Sequence, residues 1–297
     1  MRILIFKLVV TPLLIGGISL LGRRWGPTVG GLLVGLPLTS GPVALFVALD
    51  HGSRFAASTS LGILEGGFSG GLFCLTYSHL AFRWRWPAAL ALSWGAFFAS
   101  TAALREVSLP LLPTYACVIA ALALVVVALP RGKIQARDAA APAWWDIPAR
   151  MLIATVFVVL LTAAAPALGP RLSGLLAPFP LFAAILAVFT QHADGPEPAA
   201  RLLRGVVIGM FAFASFFLVV AGLLTSVGIA VAFISASAVT LAMQGASLWF
   251  FGRTRSKAQA TQGHAEDAWS RTEAPTKDGV ILPDASAASG PQAPYRT

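Results

Sequence analysis

GPTVGGLLVGLPLTSGPVALFVALDHGSRFAASTSLGILEGGFSGG (residues 26–71) reappears 143 positions later as GPRLSGLLAPFPLFAAILAVFTQHADGPEPAARLLRGVVIGMFAFA (residues 169–214). Fifteen of the 46 aligned positions are identical, with no gap. Gly26-Pro27 falls on Gly169-Pro170, Gly31-Leu32-Leu33 on Gly174-Leu175-Leu176, and Pro37-Leu38 on Pro180-Leu181. Ala44, Phe46, Gly52, Ala56, Ala57, Gly62, Gly66 and Phe68 match Ala187, Phe189, Gly195, Ala199, Ala200, Gly205, Gly209 and Phe211. Shared apolar composition gives scattered matches, not glycines and Gly-Pro steps held in one register. The alignment reads as an internal duplication.

Around these stretches the chain is a series of apolar runs. A spanning helix needs about 20 mostly apolar residues. Nine such runs fall at about 3–22, 28–49, 56–80, 87–104, 109–129, 149–168, 172–192, 199–224 and 226–250. They are continuous rather than alternating, so helices are predicted and barrel strands are not. The first run ends in Gly22-Arg23-Arg24-Trp25 without an Ala-x-Ala-like cleavage site, and a retained helix is expected there rather than a signal peptide. The expected fold is an all-α integral membrane protein of about nine transmembrane helices.

Composition agrees. The chain is 57% hydrophobic and 11% charged over 297 residues, with a mean hydropathy of +0.79. Soluble domains carry about 25% charged residues. A soluble enzyme, a nucleic-acid-binding domain and a disordered chain are excluded as whole-chain readings. The net charge of +9 would suggest nucleic acid in a soluble protein. Here the basic residues sit in short gaps between apolar runs and report orientation instead. Arg2, Lys7, Arg54, Arg105 and Arg171 fall on the N-terminal side. Arg23, Arg24, Arg83, Arg85, Arg131, Lys133, Arg137, Arg150, Arg201, Arg204, Arg253, Arg255 and Lys257 fall on the other. The excess places the N-terminus outside and the C-terminus in the cytoplasm. Cys74 and Cys117 lie inside apolar runs and form no disulfide or metal pattern.

The duplication then has a topological consequence. Runs one to four correspond to runs six to nine, and run five has no partner. An odd linker helix starts the second half from the opposite face. Two inverted four-helix repeats joined by a linker helix are expected, an arrangement common in secondary transporters. The predicted layout is a first repeat over 1–105, a linker helix and cytoplasmic loop over 106–148, a second repeat over 149–252, and a tail over 253–297. Trp144 and Trp145 in the loop suit the headgroup level. The tail is rich in Ala, Ser, Thr, Pro and charge, and is expected to be disordered and cytoplasmic.

The run from Leu172 to Ala187, the Asp194-Gly195 turn and the Ala200-Arg201-Leu202-Leu203-Arg204-Gly205 helix start resemble the GlpM family of small bacterial membrane proteins. The likeness covers about 150–250 and, more weakly, 7–104. Members of that family are about half this length, so the chain looks like a tandem inverted fusion of two such units. Gly35, Thr39-Ser40 and Gly41-Pro42 depart from the family's phenylalanine-rich pattern. The resemblance implies the bacterial inner membrane and a link to exopolysaccharide production; it implies no substrate.

Candidate chemistry concentrates at two places. Pro37 and Pro180 occupy equivalent positions in equivalent helices. Each lacks an N–H and should break its helix. Gly35, Gly41 and Pro42 loosen one break, and Pro178 the other. Paired interruptions point to a transporter's binding site, where freed carbonyls and half-helix ends meet a ligand. Thr39 and Ser40 add hydroxyls there. The alternative is that the prolines only shape packing. Glu65 is the one acid well inside a predicted helix. It is expected to face the bundle interior, near Gly66, Gly67, Gly70 and Gly71, as a coupling carboxylate or as a protonated side chain bonded to a neighbouring helix. The second repeat has Ile208 there. Gly66-x-x-x-Gly70 and Gly67-x-x-x-Gly71 suit close helix packing. Asp50-His51 and His192 with Asp194 read as turn residues or a metal or gate site, and Gln244 as an interhelical hydrogen bonder or a packing residue.

No Walker motif, nucleophile elbow, HExxH or CxxC is visible, and no enzyme, cofactor or metal is expected. The expected function is a secondary transporter or permease for an unknown small molecule or ion. Its binding residues would be Glu65, Pro37, Thr39, Ser40, Gly41, Pro178 and Pro180. The alternative is a non-transporting scaffold or accessory protein in envelope or exopolysaccharide export. The expected partners are the lipid bilayer and a possible second copy of the chain, with no nucleic acid.

Overall fold

The structure is a computed structural model that describes residues 2–37, 40–106, 109–130, 147–149, 151–153, 155–156 and 178–247. All of them belong to one compact unit, residues 1–248. The described residues are helical and contain no strand. In chain order the helices are α1 (Arg2–Trp25), α2 (Pro27–Val34), α3 (Ser40–His51), α4 (Ser53–Leu80), α5 (Trp86–Leu104) and α6 (Leu111–Ala128). They are followed by α7 (Leu181–Asp194), α8 (Pro196–Leu223) and α9 (Ile229–Ser247). Pro27, Pro87 and Pro196 open α2, α5 and α8, where a missing N–H costs no helical hydrogen bond.

Four helices, α5, α6, α8 and α9, are long and apolar enough to cross a membrane. Their mean hydropathies are 1.4, 2.5, 2.5 and 1.7. The run predicted over 28–49 is two helices, α2 and α3, separated at Pro37. The run predicted over 172–192 appears as α7, which starts only after Pro180. Most of the run at 149–168, the central loop and the whole tail lie outside the described residues.

Element boundaries correspond between the halves. α4 and α8 are both 28 residues long and begin and end at the same offset of 143 that aligns the sequence. α5 and α9 begin at that offset too. The preceding turns correspond too. Gly52 has φ 84 and ψ 167, and Gly195 has φ 95 and ψ −178. That backbone conformation is almost confined to glycine.

α8 is the central helix and packs on α2, α4, α6 and α7. It runs antiparallel to α4: a Cβ on Gly67 would stand 3.5 Å from the Phe213 ring, and one on Gly70 3.0 Å from Met210. The Gly52 and Gly195 turns therefore lie at opposite ends of the bundle. Arg23, Arg24, Arg83, Arg85, Arg201 and Arg204 gather at one end. Thr28, at the start of α2, touches Gly205 near the start of α8. Gln191, near the end of α7, reaches the carbonyls of Ala81 and Trp84 just past α4. Arg54 and Arg105 lie at the other end.

The α2–α8 crossing is the closest in the fold. Gly31-x-x-x-Gly35 faces Gly205-x-x-x-Gly209, and the backbones touch. A Cβ on Gly31 would overlap the Leu202 carbonyl, and one on Gly205 the Thr28 carbonyl. A Cβ on Gly35 would stand 2.6 Å from Gly209 Cα. In hydrocarbon, apolar area gives helices no drive to associate, so this close backbone packing replaces it.

Candidate functional site

The break at Pro37 meets the Pro178–Pro180 segment that precedes α7. A cavity of about 70 Å³ lies between them, room for a few water molecules. The first break contributes Val34, Gly35, Leu36 and Ser40; the second contributes residues 178–183. Gly70 and Cys74 of α4, and Val206, Met210 and Phe213 of α8, complete the wall. Three helix ends reach this space: the end of α2 and the starts of α3 and α7. A helix start carries positive partial charge and a helix end negative, so the cavity's polarity comes from the backbone as well as from Ser40.

The break in α2 follows from Pro37. With no N–H at Pro37, the Leu36 amide turns to the Leu33 carbonyl at 3.2 Å, leaving the Leu32 carbonyl without its helical donor. Gln244 of α9 supplies one, Nε2 donating at 2.7 Å to Leu32 O in a fully buried position. The chain resumes when the Gly41 amide donates to Pro37 O at 2.9 Å. Gly41 packs beside the Phe216 ring.

At the second break, Phe179 stands between Pro178 and Pro180 and lies on an aromatic ledge of α5. Its ring is 5.7 Å from Trp94, 5.4 Å from Phe97 edge-to-face and 5.8 Å from Phe98 stacked. The breaks are thus cross-supported. The one in the first half rests on α9, and the one in the second half rests on α5.

No family model, curated protein or solved structure matches this chain.

Of the residues singled out in the sequence, Ser40, Pro178 and Pro180 line the cavity, and Pro37 and Gly41 stand at its edge. Thr39 lies outside the described residues. Glu65 does not line the cavity. It is half-buried on a stripe of α4 with Leu61 and Leu72, while Gly66, Gly67, Gly70 and Gly71 are buried on other faces. Glu65 therefore shares α4 with those glycines without sharing one face with them. At 100° per residue, positions 67, 70 and 71 fall on the far side of α4 from position 65. Among the described residues, no three His, Cys, Asp or Glu side chains come together to hold a metal.

Two features of the site escaped the sequence. The Tyr77 hydroxyl donates to Gln191 Oε1 at 2.8 Å, and Gln191 Nε2 in turn lies 3.2 Å from Ala81 O and 3.1 Å from Trp84 O. The glycine pairs of the α2–α8 crossing were also missed as a pair. The spacing was visible in Gly31-x-x-x-Gly35 and Gly205-x-x-x-Gly209, but not their mutual contact.

Proposed function

We propose that the chain is a bacterial inner-membrane secondary carrier built as two inverted repeats, with its substrate passing through the cavity between the two broken helices. The cavity itself carries this reading, because both interruptions converge on one space lined by backbone ends. Paired broken helices at a repeat interface are the usual setting for a transporter's site. The matched boundaries of α4 with α8, the matched starts of α5 and α9, and the placing of the Gly52 and Gly195 turns at opposite ends support the inverted repeat. Two similar halves in opposite senses give two packings of comparable energy, one open to each face. The count of nine spans, the basic end in the cytoplasm and the likeness to GlpM-like proteins belong to the same proposal. Glu65 is the proposed coupling carboxylate, acting through α4 rather than from the cavity wall.

The test is accessibility. A cysteine replacing Ser40, in a chain lacking Cys74 and Cys117, should react with membrane-impermeant maleimide from either face in turn, as ion gradients are reversed. Uptake compared between deletion and wild-type cells then names the substrate. Labelling from one face under every gradient, or from neither, means a static scaffold.

A further inference from the structure

We propose that Tyr77 and Gln191 form the gate that closes this cavity toward the basic end of the bundle; the inference rests on the carrier reading above. Cys74 lines the cavity, and Tyr77 follows it three residues on, about one helical turn nearer the basic end. Tyr77 is fully buried, so its ring is packed between the cavity wall at Cys74 and the basic end. Its hydroxyl donates to Gln191, and Gln191 continues to the carbonyls of Ala81 and Trp84. These carbonyls lie where α4 ends and the chain turns toward α5. A single amide therefore holds the second half's α7 against the first half's α4 and its exit. The bonds join the two halves and tie nothing within either.

The chemistry suits a part that opens. The contacts are three neutral hydrogen bonds, with no ion pair to desolvate. Water entering from the basic end can replace each of them when α7 moves, at modest cost. The repeat leaves the device on one side only. Tyr77 corresponds to Val220 and Gln191 to Ala48, so the repeat-related positions cannot form the same latch. At the opposite end the wall is aromatic instead. Phe213, at the cavity, meets Phe217 in a tilted contact at 4.8 Å, and Phe217 meets Phe216 edge-to-face at 5.1 Å. One gate is polar and the other is apolar.

The native thiol of Cys74 tests this in the full-length chain, with the exposed Cys117 replaced by serine. Membrane vesicles of both orientations are treated with an impermeant maleimide. In the parent, Cys74 should react slowly. In Gln191→Leu the rate should rise about tenfold from the basic face and stay unchanged from the other. Tyr77→Phe, which keeps the ring and loses only the hydroxyl, should show a smaller rise with the same sidedness. Equal labelling from both faces would mean lost folding rather than an opened gate and would overturn the proposal for Gln191; Tyr77→Phe then decides it alone. Unchanged labelling in both variants, with a cysteine at Ser40 still reachable from alternate faces, removes the gate and leaves the carrier reading standing. A cysteine at Ser40 that never alternates removes the carrier reading and the gate with it.

Discussion

The side-chain amide of Gln244 donates to the backbone carbonyl of Leu32 at 2.7 Å, across 212 positions of sequence. It restores the bond that Pro37 removes from the end of α2. Gln244→Leu leaves that carbonyl buried without a donor. Interhelical hydrogen bonds in membranes are modest, so the expected loss is about 0.6–2 kcal/mol. Thermal unfolding in detergent measures it, and a variant as stable as the parent would mean that the bond does not hold the break.

The glycine crossing makes a sharper prediction. Gly205→Ala drives a methyl into the Thr28 carbonyl, and Gly31→Ala does the same to Leu202. Overpacking typically costs about 1–3 kcal/mol, and backbone on both sides leaves little room to relax. Gly95→Ala, with nothing within 4 Å of the new methyl inside α5, is the matched control. It should be neutral or stabilising by about 0.5–1 kcal/mol through helix propensity. Melting temperatures of Gly205→Ala and Gly31→Ala should fall below that of the parent, and that of Gly95→Ala should not.

At the repeat-related turns, Gly52→Ala and Gly195→Ala each force a side chain into a conformation suited to glycine. The expected cost is about 1–3 kcal/mol at each site. The methyl at Gly52 has open space, so a loss there reports backbone strain and not a clash. Chemical denaturation of the two single variants is the measurement, and an unchanged midpoint at Gly52 would contradict the assigned backbone.

Phe179→Ala removes the ring that lies on Trp94, Phe97 and Phe98. At about 0.5–1.5 kcal/mol for each of the three aromatic pairs, the expected loss is about 1.5–4.5 kcal/mol. A change in tryptophan emission near Trp94 should accompany it. Stability loss without any spectral change would place the effect elsewhere.

Glu65→Gln keeps the shape of the side chain and removes its ability to release a proton. If Glu65 couples protons to transport, uptake in the variant loses its dependence on external pH while binding at the cavity persists. A pH profile identical to that of the parent would end the coupling assignment.

The sequence carried the helices and their interruptions further than it carried their contacts. Pro37 and Pro180 announce two breaks because a missing N–H acts locally. Gly52 and Gly195 align because a backbone conformation open to glycine leaves a mark on composition. The meeting of the two breaks around one cavity is a long-range result, and no local pattern encodes it. Glu65 and the cavity-lining Gly70 and Cys74 share α4 but not a face, and which face meets the cavity is set by the helices packed against α4 rather than by its own sequence. Tyr77 and Gln191 escaped because the partner positions, Val220 and Ala48, break the repeat, so symmetry gave no cue.

The cross-support of the two breaks also sets an order of synthesis. Leu32 leaves the ribosome 212 residues before the glutamine that satisfies its carbonyl. At about 5–20 residues per second, that interval is roughly 10–40 s. During it the Leu32 carbonyl lacks the donor that Gln244 brings, so the end of α2 waits on α9. Nascent chains released before residue 244 should therefore be the ones that membrane proteases remove.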